Sequence, residues 1–296
     1  MIAQVAASRS VIRDYVALGK PRIVLLLLFT ALAGMFLASG GPPELTLTIV
    51  VLGGGAMASA GANALNQFLD RDIDARMRRT SDRPVATNRV HPREALLFGT
   101  GLNVVAFVLF TTLVNPLSAL LTLSATLFYV FVYTMALKRT TPQNIVIGGA
   151  AGALPPMIGW TAVTGSLGLP AVYLFAIIFF WTPPHFWALS LALKGDYAAA
   201  RVPMLPVIAS DRTTGSHIIL YIALLLALSW LPVAGGYAGL LYATTATVLG
   251  LEWLRRSLPL ISDGSAPKAL SSFKFSLLYL VGVFLILALE PALPGY

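Results

Sequence analysis

The chain has 296 residues, of which 57% are hydrophobic and only 11% charged. A mean hydropathy of +0.80 excludes a soluble globular domain of this size and points to a polytopic membrane protein. The absence of cysteine rules out disulfides, thiolate metal sites and covalent haem attachment, and the net charge of +8 calls for no nucleic acid, since no soluble basic segment exists to carry one.

The first twenty or so residues are mixed and charged and lack the layout of a cleaved signal, so the N-terminus reads as mature. Apolar stretches come next, at about 21–39, 46–67, 95–114, 117–136, 144–163, 170–193, 217–235, 238–254 and 273–290. The expected fold is therefore all-α, a single transmembrane domain over residues 1–296 with nine membrane helices. The basic residues sort to one side. All 20 lie in the N-terminal segment (Arg9, Arg13, Lys20, Arg22) or in the loops after the second, fourth, sixth and eighth stretches, and the alternate loops carry none. The positive-inside rule then sets the N-terminus in the cytoplasm and, with nine spans, the C-terminus outside.

The inside loops after the second and sixth stretches are the long ones, about 27 and 23 residues. A site built by loops should therefore face the cytoplasm. Their recurrence four helices apart suggests a duplicated four-helix unit, at about 15–140 and 141–256, with 273–290 as the ninth helix.

Where the second stretch meets its loop stand Asn66, Asp70 and Asp74. On a helix this spacing puts an amide and two carboxylates within an arc of roughly 80° and a rise of roughly 12 Å. Carboxylates at a membrane exit are costly and mark a functional site. Oxygen ligands on one face suit Mg²⁺, which takes one or two protein carboxylates and completes its shell with water and phosphate. The cluster points to a membrane enzyme that handles a diphosphate. Asp72 faces the other way, one turn before Arg76, and reads as an ordinary ion pair; Asp74 with Arg78 also has ion-pair spacing. Arg78, Arg79 and Arg83 have two readings, a clamp on phosphate oxygens or topology markers alone, and Lys138 and Lys194 stand at the next inner exits as further candidates for the diphosphate. In the second long loop Asp196 is the early carboxylate, able to serve the same metal ion or a second one, or to pair with Arg201 or Lys194.

The sixth stretch contains Trp181-Thr182-Pro183-Pro184-His185-Phe186-Trp187, and the fifth contains Pro155-Pro156. Prolines inside the membrane free carbonyls that neighbours or a cavity must satisfy. His185 has three functional readings, contact with a carboxylate, ligation of iron or acceptance of a proton, beside the plain one of a hydrogen bond to a neighbouring helix. Asn103, Asn144, Tyr129 and Tyr133 read as polar contacts between helices.

These residues resemble the UbiA-type intramembrane prenyltransferases, whose first signature, Asn-x3-Asp-x3-Asp, is matched by Asn66, Asp70 and Asp74. Further pieces resemble the haem-farnesylating branch: Asp14-Tyr15 with Lys20-Pro21-Arg22; Met77-Arg78-Arg79-Thr80 with Arg83-Pro84; Pro184-His185-Phe186; and Asp196-Tyr197 with Val202-Pro203-Met204-Leu205-Pro206. The chain departs from that branch at Asn88 and Arg201, which stand where Gly is frequent. Ala200 replaces the second acid that many members of the wider family carry. The resemblance implies an Mg²⁺-dependent transfer of a farnesyl group from farnesyl diphosphate to the vinyl group of protohaem IX. Asp70, Asp74, Asn66 and Asp196 would hold the metal and His185 would touch the haem. Lys20, Arg22 and Arg139 would meet its propionates. It also implies a bacterial plasma membrane, or a mitochondrial inner membrane in a eukaryote, and hand-over of product to a haem A synthase or oxidase assembly proteins. The rival readings are prenyl transfer to a quinone precursor or other aromatic acceptor, a transporter, and a non-catalytic haem-handling protein. A transport path needs polar groups on both faces, and the only charged residues outside are Glu44 and Glu290.

Overall fold

The computed structural model describes residues 2–293, with side chains from Val11 onward, so the Arg9 side chain lies outside the described residues. All regular elements among them are helical: α1 (Ile2–Gly19), α2 (Pro21–Ser39), α3 (Leu45–Leu69), α4 (Arg71–Asp74), α5 (Pro92–Leu113), α6 (Pro116–Leu127) continued by a π-helical segment (Phe128–Leu137), α7 (Asn144–Thr164), α8 (Leu169–Ala192), α9 (Lys194–Ala199), α10 (Leu205–Ile208), α11 (Asp211–Leu228), α12 (Leu231–Ala234), α13 (Leu240–Ser257) and α14 (Ala266–Leu289), with short 3₁₀ turns after the last two.

Eight of these segments are long and apolar enough to cross a membrane: α2, α3, α5, α6 with its π continuation, α7, α8, α11 with α12, and α14 with its 3₁₀ turn. The chain is a multi-pass membrane protein. The expected stretch 238–254 is helical, but α13 is not among the eight. Its last turns carry Glu252, which pairs with Arg255 and Arg256.

Local chemistry fixes the helix starts. Proline occupies the first turn of α2, α5, α6 and α8, where its missing N–H costs nothing. His91 and Glu94 form a reciprocal capping box on α5, and the Asn115 side chain accepts from the Ser118 amide to cap α6. Helices α7 and α8 run unbroken through Pro155-Pro156 and Pro183-Pro184.

Helices in lipid associate by close packing rather than by expelling water, so small residues decide where they meet. α2 crosses α7 at Gly34 and Gly159. A Cβ on Gly159 would lie 1.9 Å from the Ala31 carbonyl oxygen, and one on Gly34 2.1 Å from that of Pro156. In the C-terminal half, Tyr242, Trp253, Tyr279 and Phe284 are fully buried in a core shared by α8, α11, α13 and α14. α14 also packs on α2, closing the bundle. The buried Glu290 carboxylate accepts backbone N–H groups of Gly239 (2.7 Å), Leu241 (2.8 Å) and Tyr242 (3.2 Å), and so pins the start of α13 to the end of α14.

Candidate active site

The backbone of α3 stops at Leu69 and a single turn, α4, comes next, yet the hydrogen-bond ladder is not lost. The Asp70 amide donates to the Asn66 carbonyl at 2.8 Å and the Asp74 amide to the Asp70 carbonyl at 2.8 Å. The three side chains are buried, as the spacing requires: Asn66 is 2%, Asp70 0% and Asp74 2% exposed. Asn66 Nδ2 donates to Asp70 Oδ2 (2.6 Å) and to Thr134 Oγ1 (3.1 Å). Lys138 Nζ also donates to Asp70 Oδ2. Asp70 Oδ1 is buried without any hydrogen-bond partner. Both Asp74 oxygens are taken by one guanidinium nitrogen of Arg83, at 2.8 Å each.

Lys20 enters this cluster from the other side. The α1–α2 junction is clasped by α3: Gln67 Nε2 donates to the carbonyls of Ala17 and Leu18 (both 3.1 Å), and Asn63 Nδ2 to that of Gly19 (3.1 Å). Lys20 itself is in the left-handed region, φ 53°, and its Nζ donates to Asn66 Oδ1 at 2.8 Å. Burial, helped by the neighbouring Arg83 and Lys138 charges, holds its ammonium pKa well below the ordinary lysine range, against the opposite pull of Asp74 and Asp70.

The π-helical segment supplies the third wall. Thr134 Oγ1 bonds back to the Tyr129 carbonyl at 2.8 Å, five residues earlier, and Tyr129 and Tyr133 stack at 5.5 Å. Such segments recur at functional sites because the wider turn rotates the side chains beyond it to a new bearing; here it aims Thr134 at Asn66 and Lys138 at Asp70. Gly148 on α7 leaves room for the Tyr133 ring, which a Cβ there would meet at 2.3 Å.

The two long loops close over this cluster. Ile73, Met77, Tyr197, Val202 and Met204 form one buried cluster, with Tyr133 and Phe186 packed on it. The Arg79 amide donates to Asp196 Oδ2 at 3.3 Å. Burial pushes the Tyr197 phenol up, with Arg79 pulling the other way.

Some sequence expectations need correction. Asp72 pairs not with Arg76 but with Arg139 (2.7 and 2.8 Å), whose guanidinium also holds the Leu69 carbonyl. That bond holds the Asp72 carboxyl at about 2. Asp74 is held by Arg83, not Arg78, because the turn at Thr80 folds the chain back. Lys194 pairs with Asp211 (2.8 Å), not with Asp196. Arg22, Arg78 and Arg79 are exposed. Lys20 Nζ is bonded to Asn66.

His185 lies apart from the acids, on α8. Its Nδ1 is 2.6 Å from Ser276 Oγ, and its ring stacks on Trp181 (4.2 Å) and lies 4.5 Å from Phe273. Ser276 Oγ already donates to the Phe273 carbonyl at 2.6 Å. The single hydroxyl proton being used, Nδ1 carries the imidazole proton and Nε2 keeps its lone pair. Thr134, Asn63 and Gln67 were missed by sequence reasoning; the only signal was polarity inside apolar helices. An apolar groove of about 420 Å³, lined by Tyr15, Gly19, Ala56, Ala60 and Phe98 among others, opens on the α1 flank, and none of the polar cluster lines it.

The chain has close relatives and a shared architecture among known proteins. Residues 27–280 match the model of the UbiA prenyltransferase family. A Synechococcus elongatus protein named "Protoheme IX farnesyltransferase" is 51% identical over 286 residues, covering 95% of this chain and 89% of that one. A Thermus thermophilus protein of the same name is 50% identical over 95% of this chain, which spans about half, 46%, of that relative's length. Among solved structures, one described as digeranylgeranylglyceryl phosphate synthase superposes with a TM-score of 0.78 at 18% identity, covering 95% of this chain and 98% of that one. A UbiA homolog from Archaeoglobus fulgidus bound to GPP and Mg²⁺ superposes with a TM-score of 0.64 at 18% identity, covering 93% and 99%.

Proposed function

The chain belongs to the UbiA prenyltransferase family, and from that premise we propose that it transfers the farnesyl group of farnesyl diphosphate to a vinyl group of protohaem IX, making haem O. The observation that carries this reading is the 51% identity with the Synechococcus protein over 95% of this chain. The site supports it: buried acids ringed by Lys20, Lys138 and Arg83 suit an anion brought with a cation.

The donor set fits a hard divalent ion, since every candidate ligand is oxygen and Asp70 Oδ1 is buried and unpartnered. Asp70 would hold Mg²⁺, with Asn66, Asp74 and Asp196 nearby in the same wall. When bound, the ion would neutralise charge on the diphosphate leaving group. Lys20, Lys138 and Arg83 share that work, and the exposed Arg78 and Arg79 guide the anion in. The allylic C–O bond breaks and the electron pair leaves with diphosphate. The haem vinyl double bond supplies the pair for the new C–C bond. Water captures the resulting cation and sheds a proton, completing the hydroxyethylfarnesyl group. The stacked Tyr129 and Tyr133 rings offer π-faces to the allylic cation, and the loop cluster keeps stray water out. Haem is substrate, His185 with its free Nε2 is its contact on α8, and Arg22 and Arg139 are candidates for the propionates.

The membrane is the bacterial plasma membrane or its mitochondrial descendant, with nine spans, the N-terminus inside and the C-terminus outside. The two four-helix units, about 15–140 and 141–256, are consistent with the recurrence of a short helix after α3 and again after α8. Hand-over of haem O to a downstream haem A synthase or to oxidase assembly proteins completes the proposal.

The test is purified protein with haem b, farnesyl diphosphate and Mg²⁺, with 4-hydroxybenzoate offered in parallel and products separated by chromatography. Haem O is the expected product; prenylated hydroxybenzoate instead would move the chain to the quinone branch. Asp70→Asn is expected to cut turnover at least about 100-fold, roughly 2.7 kcal/mol of barrier, while Asp72→Asn stays within a few-fold.

A further inference from the structure

We propose that Ser276 on α14 is a positioning residue: it holds the His185 imidazole so that Nε2 binds the iron of the porphyrin acceptor, and that bond sets where the vinyl group lies. The inference rests on the reading that the acceptor is haem, and it adds to the contact on α8 the bond that makes it and the residue that aims it.

Two short contacts compete for one hydroxyl proton. His185 Nδ1 and the Phe273 carbonyl oxygen each lie 2.6 Å from Ser276 Oγ. A carbonyl only accepts, so the hydroxyl proton goes to Phe273 and the Nδ1 proton fills the other contact. The result is a chain, Nδ1–H to Oγ–H to C=O, whose two bonds strengthen each other. Ser276 is fully buried, and its own carbonyl accepts from Trp181 Nε1 at 2.9 Å, which ties it to α8 at a second point. Trp181 stacks on the imidazole at 4.2 Å and 21°, and Phe273 lies against it at 4.5 Å and 31°. Ring tilt and tautomer are both set before any ligand arrives.

The second ring nitrogen is left bare. Nε2 has no hydrogen-bond partner among the described residues and is not among the fully enclosed unpartnered atoms, so it faces open space. A neutral imidazole with Nδ1–H fixed on an oxygen and a free Nε2 is the form that binds a metal, and the Nδ1 partner both orients the ring and raises its basicity. Phe186, edge-on to the imidazole at 5.4 Å, packs on the loop cluster that also takes Tyr133, so one buried cluster joins the imidazole to the wall of the acid site. A porphyrin held by aromatic faces alone can slide in its plane. A bond from Nε2 to iron fixes the centre of the macrocycle and leaves only rotation for the propionates to set, which presents one vinyl carbon to the allylic cation. The Nε2 lone pair is shared with the iron, no electron is transferred, and the bond is released with the product.

The experiment titrates the full-length, untagged protein in detergent, without prenyl diphosphate, with haem b and separately with metal-free protoporphyrin IX. Binding is read from the porphyrin absorption bands. Ligation is read by electron paramagnetic resonance of the nitrosyl ferrous haem, whose hyperfine pattern reports an axial nitrogen opposite NO. The parent should show that nitrogen, and His185→Gln should lose it. His217, exposed on α11 with its Nδ1 on the Thr213 carbonyl, is the control, and His217→Gln should keep the pattern. Ser276→Ala should weaken haem b at least about 10-fold and leave protoporphyrin IX within a few-fold, and Ser276→Thr, which keeps the hydroxyl, should restore haem binding. A second measurement needs no change at Ser276. His185→Ala should regain the axial nitrogen with added imidazole, and far less readily with 1-methylimidazole, which has no N–H for Ser276. An axial nitrogen that survives in His185→Gln, a Ser276→Ala variant that binds both porphyrins like the parent or loses both alike, or equal rescue by the two imidazoles overturns the proposal. A chain that shows the ligation yet makes no haem O would sink the proposed activity and leave this inference standing; haem O made at the parent's rate by His185→Gln would do the reverse.

Discussion

Three residues other than glycine adopt left-handed backbone: Lys20 (φ 53°), Asn88 (φ 57°) and Arg201 (φ 55°). Each costs about 1–2 kcal/mol relative to a glycine-like freedom, less for Asn. Lys20 is held there by the Asn63 and Gln67 clasp and by its bond to Asn66. Asn88 and Arg201 are exposed, and each turns the backbone within one of the two long loops. Asn88→Gly and Arg201→Gly are each expected to stabilise the protein by up to about 1 kcal/mol, the relieved strain outweighing glycine's larger unfolded entropy. Thermal melting in detergent checks this; a fall in melting temperature for both would contradict it. Legibility at this scale is set by distance along the chain. Asn66 and Asp70 were readable because one helical turn joins them. Lys20, Lys138 and Arg139 were readable as candidates but not as partners of Asn66, Asp70 and Asp72, because each lies roughly 46–68 positions away and depends on how helices meet.

At the scale of elements, eight of the nine apolar stretches match membrane-length helices with ends within seven residues, since a span needs about 20 apolar residues and little else in a chain supplies them. The π-helical segment Phe128–Leu137 was not, because its apolar run carries the same composition as an α-helix. Yet that segment aims Thr134 at Asn66 and Lys138 at Asp70, so Thr134 and the pairing of Lys138 escaped a reading based on helical periodicity. The α2–α7 crossing was equally silent, since glycines in α7 look alike in sequence. Gly159 faces the Ala31 carbonyl at 1.9 Å from a built Cβ, while Gly152 has nothing within 4 Å. Gly159→Ala is expected to cost about 3 kcal/mol, because only helix separation can admit the methyl group. Gly152→Ala should be neutral or slightly stabilising. Equal melting temperatures for the two variants would show that α2 and α7 do not meet as closely as this.

For the whole molecule the open question is whether α13 crosses the membrane, and it can be argued from parity. Seven spans from a cytoplasmic N-terminus leave the 235–239 loop outside. If α13 lay flat, Arg255, Arg256, Lys268 and Lys274 would all sit outside, against the sorting of every other basic residue. Its 18 residues rise about 27 Å, close to the hydrocarbon thickness of about 30 Å, with the charged residues confined to the last two turns. The Glu290 clamp fits the same arrangement, since it joins the start of α13 to the end of α14 and so requires both to lie on one side. The cysteine-free chain makes the test clean. Single cysteines at the exposed positions Ala234 and Ser262 flank α13. A membrane-impermeant maleimide added to intact cells is expected to label Ala234→Cys at once and Ser262→Cys only after permeabilisation. Labelling of both from outside would place α13 on the surface, and α14 would then run inward with the C-terminus in the cytoplasm.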